Sequence, residues 1–310
     1  MKILPTLRQL RYLVAVAEEG HFRRAAETCA VTQSTLSAGI RELETLLGTA
    51  LIDRSRQPAR LTPVGEEILP RARALLRGAE DLMDAAAAGV APFTRLIRLG
   101  TIPTIGPYLL PRVLPELRVR FPRLTLYLRE AQTRQILDLI DQARLDVGLI
   151  ALPYETGDLE VCILGRERLV LACPAGHPLA AEAEVGGDRL GRESVLLLED
   201  GHCLRDHVLA SCPAAGGRAN EAFQATGMST LVQMVAAGLG VTLLPDMAVA
   251  MEAARSSGLA TVPLSDVGAT RDIALVWRAG SVRAEEYRAL CAAMRPLVTP
   301  EPAALTEPAG

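Results

Sequence analysis

Thr32-Gln33-Ser34-Thr35-Leu36-Ser37-Ala38-Gly39-Ile40-Arg41-Glu42-Leu43 is the stretch on which the fold turns. Thr32 is a natural N-cap, and Leu36, Ile40, Leu43 and Leu47 recur at helical spacing as an inward stripe. The opposite face carries Gln33, Ser34, Ser37 and Arg41, short polar groups and one guanidinium that suit base edges and phosphates in a DNA major groove. Upstream, Leu7, Leu10, Leu13, Val14 and Ala17 predict a helix stopped at Gly20. A short second helix from about Phe22 to Cys29 carries Arg23 and Arg24, placed for phosphate contact. Downstream, Arg54, Arg56 and Arg60 fall in a hairpin-like segment that ends at Leu61-Thr62-Pro63.

The 310-residue chain is 49% apolar and 22% charged, which excludes disorder for its bulk and leaves room for two or three cores. Its formal net charge of -3 argues against a nucleic-acid partner only as an average. Residues 1–60 hold nine basic against six acidic side chains, so a head of +3 sits on a body of -6. Six cysteines are too few for a disulfide framework. Arg8 and Arg11 interrupt any apolar leader, and no apolar run approaches the roughly 18 residues of a membrane span. The expectation is a cytoplasmic protein with free thiols and no membrane partner.

From Thr62 and Pro63 a long helix is predicted to about Gly89, with Ile68, Ala72, Leu75, Ala79, Leu82 and Ala86 as a heptad seam for a second copy of the chain. Pro70 predicts a kink in it. Short apolar strands then alternate with helices. Leu96 to Leu99, Leu124 to Leu128 and Asp146 to Ala151 form a βαβαβ half with helices at about Leu109 to Phe121 and Thr133 to Ala143. Further strands are predicted at Leu169 to Cys173, Val195 to Leu198, Val241 to Leu244 and Ile273 to Trp277, and helices at Ser229 to Ala237 and Val282 to Val298.

The stretches His21 to Ala26, Val31 to Ser37 and Ile40 to Gly48 together resemble the helix-turn-helix of the LysR-type transcriptional regulators. Leu198-Glu199-Asp200-Gly201-His202-Cys203-Leu204-Arg205-Asp206 with Cys212, and Pro103 to Pro111, resemble the peroxide-sensing branch of that family. The chain departs from this branch at Ala222, where a histidine is often found, and at Ser34, where a proline is. The resemblance implies an N-terminal winged helix-turn-helix (1–62), a long linker helix (63–91), and a C-terminal α/β effector module (92–300) of two Rossmann-like subdomains around a cleft. Subdomain I would take about 92–166 plus 269–300 and subdomain II about 167–268, with 301–310 a disordered tail.

It further implies a homotetramer on promoter DNA, in contact with RNA polymerase, with hydrogen peroxide as reactant and no cofactor or metal. Cys203 would be the peroxidatic and Cys212 the resolving cysteine. Thr104, Thr133, His202, Arg205, Asp206 and Arg278 would surround the reactive thiol, and glutaredoxin or thioredoxin would reset it.

Chemically, a sensing thiol needs a depressed pKa, which cations at His202, Arg205 or Arg278 would supply. Thr104 and Thr133 offer hydroxyls to the departing hydroxide. Asp206 would either raise the thiol pKa or orient a cation. If residues 203–212 are helical, nine steps of about 1.5 Å put the two Cα atoms roughly 13 Å apart, and a disulfide tolerates about 7 Å. Oxidation would then have to rebuild the segment. Taken without the motif, both cysteines read as small buried hydrophobes, and His202, Cys203, His207 and Cys212 as a metal set match no familiar zinc spacing. Cys29, Cys162, Cys173 and Cys291 read as inert packing. The rival functions are a regulator gated by a small metabolite in the cleft and a thiol peroxidase.

Overall fold

The computed structural model describes residues 3–54, 58–86, 93–211, 219–265 and 269–298. The chain divides into two units, residues 1–90 and 91–310.

In the first unit, α1 (Leu7–Glu19) is capped by Thr6, whose side chain accepts from the Gln9 N–H, and ends on Gly20 at φ +65°. α2 (Phe22–Thr28) leads to α3 (Gln33–Leu47), capped by the Thr32 hydroxyl on the Thr35 N–H at 3.2 Å. Leu36, Ile40 and Leu43 are fully buried against Leu13 and Val16 of α1. At Gly39 a Cβ would stand 2.7 Å from the Tyr12 ring, so the close approach of α1 and α3 admits no side chain there. β1 (Ile52–Asp53) and β2 (Arg60–Leu61) pair antiparallel as the small wing.

α4 (Pro63–Ala86) runs on through Pro70. Its apolar stripe divides. Ala72 is buried, and Ile68, Leu69 and Leu76 pack on the same core, while Arg73 pairs with Glu18 of α1 at 3.1 Å. Leu75, Leu82 and Met83 are 58%, 73% and 68% exposed. The first turns of the expected seam therefore pack on their own domain, and the later ones are left for another surface.

The second unit opens with β3 (Leu96–Thr101), α5 (Gly106–Arg120), β4 (Thr125–Glu130), α6 (Thr133–Asp141) and β5 (Val147–Leu152), in which β3 runs parallel to both β4 and β5. β6 (Leu159–Pro174) is 16 residues long. There follow a 3₁₀ turn (Pro178–Ala181), α7 (Gly187–Leu190), β7 (Val195–Leu198), α8 (Cys203–Ser211), β8 (Ala219–Ala225), α9 (Met228–Ala236), β9 (Thr242–Pro245), α10 (Asp246–Arg255), β10 (Leu259–Pro263), β11 (Thr270–Arg278) and α11 (Ala284–Val298). The later elements do return to the first half, because β11 lies antiparallel between β5 and β6.

β6 belongs to both halves of the sheet. Leu159 to Arg168 pair with β11, and Leu169 to Pro174 with β9 and β10. The subdomain boundary expected at 166/167 falls inside this strand. Two cores flank it, one around Ile97, Leu149, Ile150 and Trp277, the other around Leu171, Leu196, Val232 and Leu244. Tyr108 of α5 lies in the second core and donates to Glu252 of α10 at 2.6 Å, a buried link between the two.

Candidate functional site

In the first unit, Arg23, Gln33, Ser37 and Arg54 line one concavity together with His21 and Phe22. Arg23 is 84% exposed and carries a 3.3 Å ion pair with Glu27 at helical spacing, a contact too solvated to hold it. Arg24 pairs with Glu19 at 2.8 Å. Gln33, Ser34 and Arg41 are exposed, and the Arg41 guanidinium donates to Ser37. Arg54, which the sequence places with Arg56 as a DNA-contacting residue, is held within the domain. Its guanidinium donates to Glu44 at 2.7 Å and stacks over Phe22, so part of its charge is already used within the domain. Arg56 lies outside the described residues.

For this reason Arg54→Ala should change the slope of log Kobs against log salt by clearly less than the roughly 0.9 of a lost phosphate contact, whereas Arg23→Ala should lower it by about that amount. A full-contact loss for Arg54→Ala in a salt titration of DNA binding would mean that Arg54 leaves Glu44 on the duplex.

In the second unit, loops at the carboxyl ends of three parallel strands converge, the place where open α/β sheets present their crevice. Thr104 follows β3, Thr133 follows β4, and Pro153 and Tyr154 follow β5. α8 closes the group from the other half of the sheet. Its first residue, Cys203, is 3% exposed and packs in the first core, whereas Leu204 and Val208 pack in the second. Gly201 adopts φ +95°, where any side chain is strained, so glycine suits the entry of the chain into α8.

The cation of the site is Arg271, which sequence reasoning missed. It is 1% exposed, donates to Thr104 Oγ1 and to the Thr104 carbonyl at 2.9 Å each, and to Glu167 at 2.8 Å. Glu167 also accepts from the Met247 N–H at 2.8 Å. Strand register explains the pair, since Arg271 of β11 and Glu167 of β6 are direct cross-strand partners. The neighbouring pair Asp272 and Arg166 meets on the opposite face at 2.7 Å, with Arg166 exposed. The signal was legible in principle. Arg271 shares its phase with Ile273, Leu275 and Trp277, which makes it a charge on the buried face of a strand.

The residues predicted around the thiol separate. Thr104, Thr133 and Arg271 are brought to it. Arg278 is not, because seven strand steps of about 3.3 Å put it at the far end of β11. Arg205 donates to Asp200 at 2.9 Å, and the buried His202 faces Glu199 at 3.7 Å. Asp206 is exposed and acts on the thiol only weakly, upward. His207, weighed from the sequence only as a metal ligand, lies one turn from Cys203 on the same helix face. Its Nε2 lies 3.3 Å from the Pro153 carbonyl, which can only accept, so Nδ1 carries the lone pair, and that atom is buried with no partner. Burial holds this imidazole below its ordinary pKa, hence neutral at pH 7. Cys212 lies outside the described residues.

The thiol is not depressed as expected. Burial pushes Cys203 above the ordinary thiol value, against the opposing pull of Arg271, Thr133 and the Leu204 N–H. Thr133 Oγ1 has no partner at good hydrogen-bond geometry, yet it is near enough to favour the thiolate. Arg271 is the largest of these opposing influences, and burial still outweighs it. Alkylation of Cys203 followed against pH should accordingly have its midpoint above 9.0, the unperturbed value. The sign for stability is the same. The folded state holds this proton more tightly than the unfolded chain, so the stability it contributes is intact below pH 9.0 and is lost as pH climbs through the raised value. A midpoint near 7 would show a thiolate-stabilising contact that these neighbours do not provide.

Residues 91–298 match the LysR substrate binding domain, and residues 7–66 match the bacterial regulatory helix-turn-helix of the lysR family. The chain belongs to the LysR family. The DNA-binding transcriptional dual regulator OxyR of Escherichia coli is 42% identical over 289 residues, 93% of this chain and 94% of its own. The HTH-type transcriptional regulator EstR of Acinetobacter baylyi is 40% identical over 287 residues, 93% and 95% of the two chains. Among solved structures, a full-length cysteine-to-aspartate variant of OxyR from Pseudomonas aeruginosa superposes with a TM-score of 0.82 at 37% identity, covering 94% of this chain and 95% of that one. A hydrogen-peroxide-bound cysteine-to-serine mutant of Corynebacterium glutamicum OxyR follows at 0.66 and 35%, covering 96% and 94%.

As a LysR-family regulator the chain carries a DNA-binding helix-turn-helix and an effector module, and the thiol cluster sits where that module's two cores meet. Among the described residues no group of three or more His, Cys, Asp or Glu could hold a metal ion, and no helix is long and apolar enough to cross a membrane.

Proposed function

We propose that this chain is a hydrogen-peroxide sensor that regulates transcription, with Cys203 as the peroxidatic and Cys212 as the resolving cysteine. The observation that carries the reading is the position of Cys203 at the start of α8, packed in one core while Leu204 and Val208 pack in the other. A covalent change at that sulfur acts on a helix whose side chains enter both cores.

In the first step the Cys203 thiolate attacks one peroxide oxygen, the O–O bond breaks, the sulfur becomes sulfenic acid and hydroxide leaves. Thr133 Oγ1 is the nearby donor to the departing oxygen. In the second step Cys212 attacks the sulfenic sulfur, and water leaves as the disulfide forms. α8 opposes that step. Its nine residues span about 12 Å between the Cα atoms of Cys203 and Ser211, beyond the roughly 7 Å a disulfide tolerates, and the adjacent Cα is only about 3.8 Å further along the chain. The helix must unwind.

On this reading a homodimer forms through the exposed Leu75, Leu82 and Met83 stripe of α4 and two dimers make the tetramer on promoter DNA, where RNA polymerase is contacted. Thioredoxin or glutaredoxin reduces the disulfide. The sensor reacts once per reduction, a switch and not an enzyme. Brief peroxide treatment, non-reducing peptide mass spectrometry and DNA footprinting test it together. A Cys203–Cys212 cross-link should appear with a footprint change that Cys203→Ser and Cys212→Ser both abolish, and a wild-type footprint response in Cys203→Ser would refute the assignment.

A further inference from the structure

The expectation that Cys162 and Cys291 are inert packing thiols does not hold, because Cys162 of β6 and Cys291 of α11 are joined by a disulfide across a sequence separation of 129. Cys29, Cys173 and Cys203 are free. A regulator whose signal is the oxidation of Cys203 is kept reduced between signals, and under those conditions a dithiol with one accessible sulfur is not a permanent staple.

The surroundings of the pair favour chemistry over mere proximity. Arg288, Cys291 and Arg295 fall on one face of α11, three and four residues apart. Each meets β6. Arg288 donates to Glu160 at 2.7 Å, Cys291 meets Cys162, and Arg295 donates to the Ile163 carbonyl at 2.9 Å. The two arginine contacts hold the helix on the strand whether or not the sulfurs are bonded. The Arg295 guanidinium, so anchored, lies 3.8 Å from Cys162 Sγ, a fixed cation beside a half-exposed sulfur. Cys291 is 1% exposed. The arrangement thus supplies an accessible cysteine with a cation at its sulfur and a sheltered partner already within reach.

We propose that Cys162 and Cys291 are a second hydroperoxide-reactive dithiol, oxidised to this disulfide independently of Cys203. The Cys162 thiolate attacks a peroxide oxygen, its sulfur becomes sulfenic acid and hydroxide leaves. Cys291 then attacks that sulfur, its thiol proton combines with the departing hydroxyl as water, and the disulfide forms. The two thiols lose two electrons and the peroxide gains them, giving two waters in all. Unlike the Cys203 reaction, this one requires no unwinding. Its product fastens α11 to β6 and strengthens the module instead of rearranging it.

The test uses full-length protein, reduced and freed of reductant without air, then given one to five equivalents of hydrogen peroxide for a minute and blocked with iodoacetamide. Peptide mass spectrometry should find the Cys162–Cys291 cross-link rising with dose in both wild type and Cys203→Ser, and several-fold more slowly in Arg295→Met. Oxidised Cys203→Ser should melt about 5 °C or more above its reduced form, a shift that Cys162→Ala added to it removes. Three results would each overturn the proposal: both thiols still alkylated at a dose that oxidises Cys203, a cross-link that dithiothreitol cannot reduce in the folded protein, or a cross-link that needs Cys203. Because the same digests report Cys203, a silent Cys203 beside a reactive Cys162 would refute the sensor assignment and leave this one standing.

Discussion

Arg271→Met should lower the melting temperature of the effector module by about 10 °C and abolish the peroxide response. The buried side chain is bonded to Thr104 and Glu167, and its removal takes three hydrogen bonds and leaves the Glu167 carboxylate buried with only the Met247 N–H. Breaking one partner of such a buried pair costs about 3–5 kcal/mol, which for a domain of roughly 200 residues is several degrees per partner lost. The loss of sensing has a separate cause. The Arg271 charge is the largest influence drawing the Cys203 pKa back down, so without it the thiolate becomes scarcer still. Adding Glu167→Gln separates the two effects. The double variant should regain most of the thermal stability, since an amide needs no counter-charge, while its Cys203 remains sluggish. If peroxide reactivity returned with stability, Arg271 would be no more than scaffolding.

Hydrogen exchange of amides 204–211 should accelerate by about 10²–10⁴-fold when Cys203 and Cys212 are cross-linked. Leu204 and Val208 are 1% and 2% exposed, and freeing two such side chains forfeits about 1.5–3 kcal/mol each. At 1.4 kcal/mol per factor of ten, those 3–6 kcal/mol set the range. Equal protection in the reduced and disulfide forms would mean that α8 survives oxidation, and the switch would have to lie elsewhere.

How much of this was legible in advance follows from which interactions are local. The helices of the head were readable because their caps and stops are sequence-adjacent, Thr32 for α3 and Gly20 for α1. The first βαβαβ was readable because fully buried strands are continuous apolar runs, as β5 is. β6 was recognised only from Leu169 onward, since Arg166, Glu167 and Arg168 interrupt its apolar pattern although they lie within its pairing with β11. The partners of Arg271 and the bonding of Cys162 to Cys291 are set by strands and helices more than a hundred residues apart, which no local pattern encodes. The family resemblance points to Arg278, and the arginine held beside Thr104 and Glu167 lies at the other end of the same strand.

β6 passes between the two halves of the effector module as one strand, Arg168 opposite Thr270 and Leu169 opposite Pro245, with a single register shift opposite Ile273 and Ala274. From Val170 to Ala172 it is paired on both sides and cannot serve there as a free pivot, because bending it sharply would cost ladder hydrogen bonds in two neighbours at once. Its soft degree of freedom is torsion. Rebuilding α8 would therefore reach the rest of the module as a twist along a shared beam, and residues such as Glu160 and Pro174, at its two ends, would register the largest relative rotation.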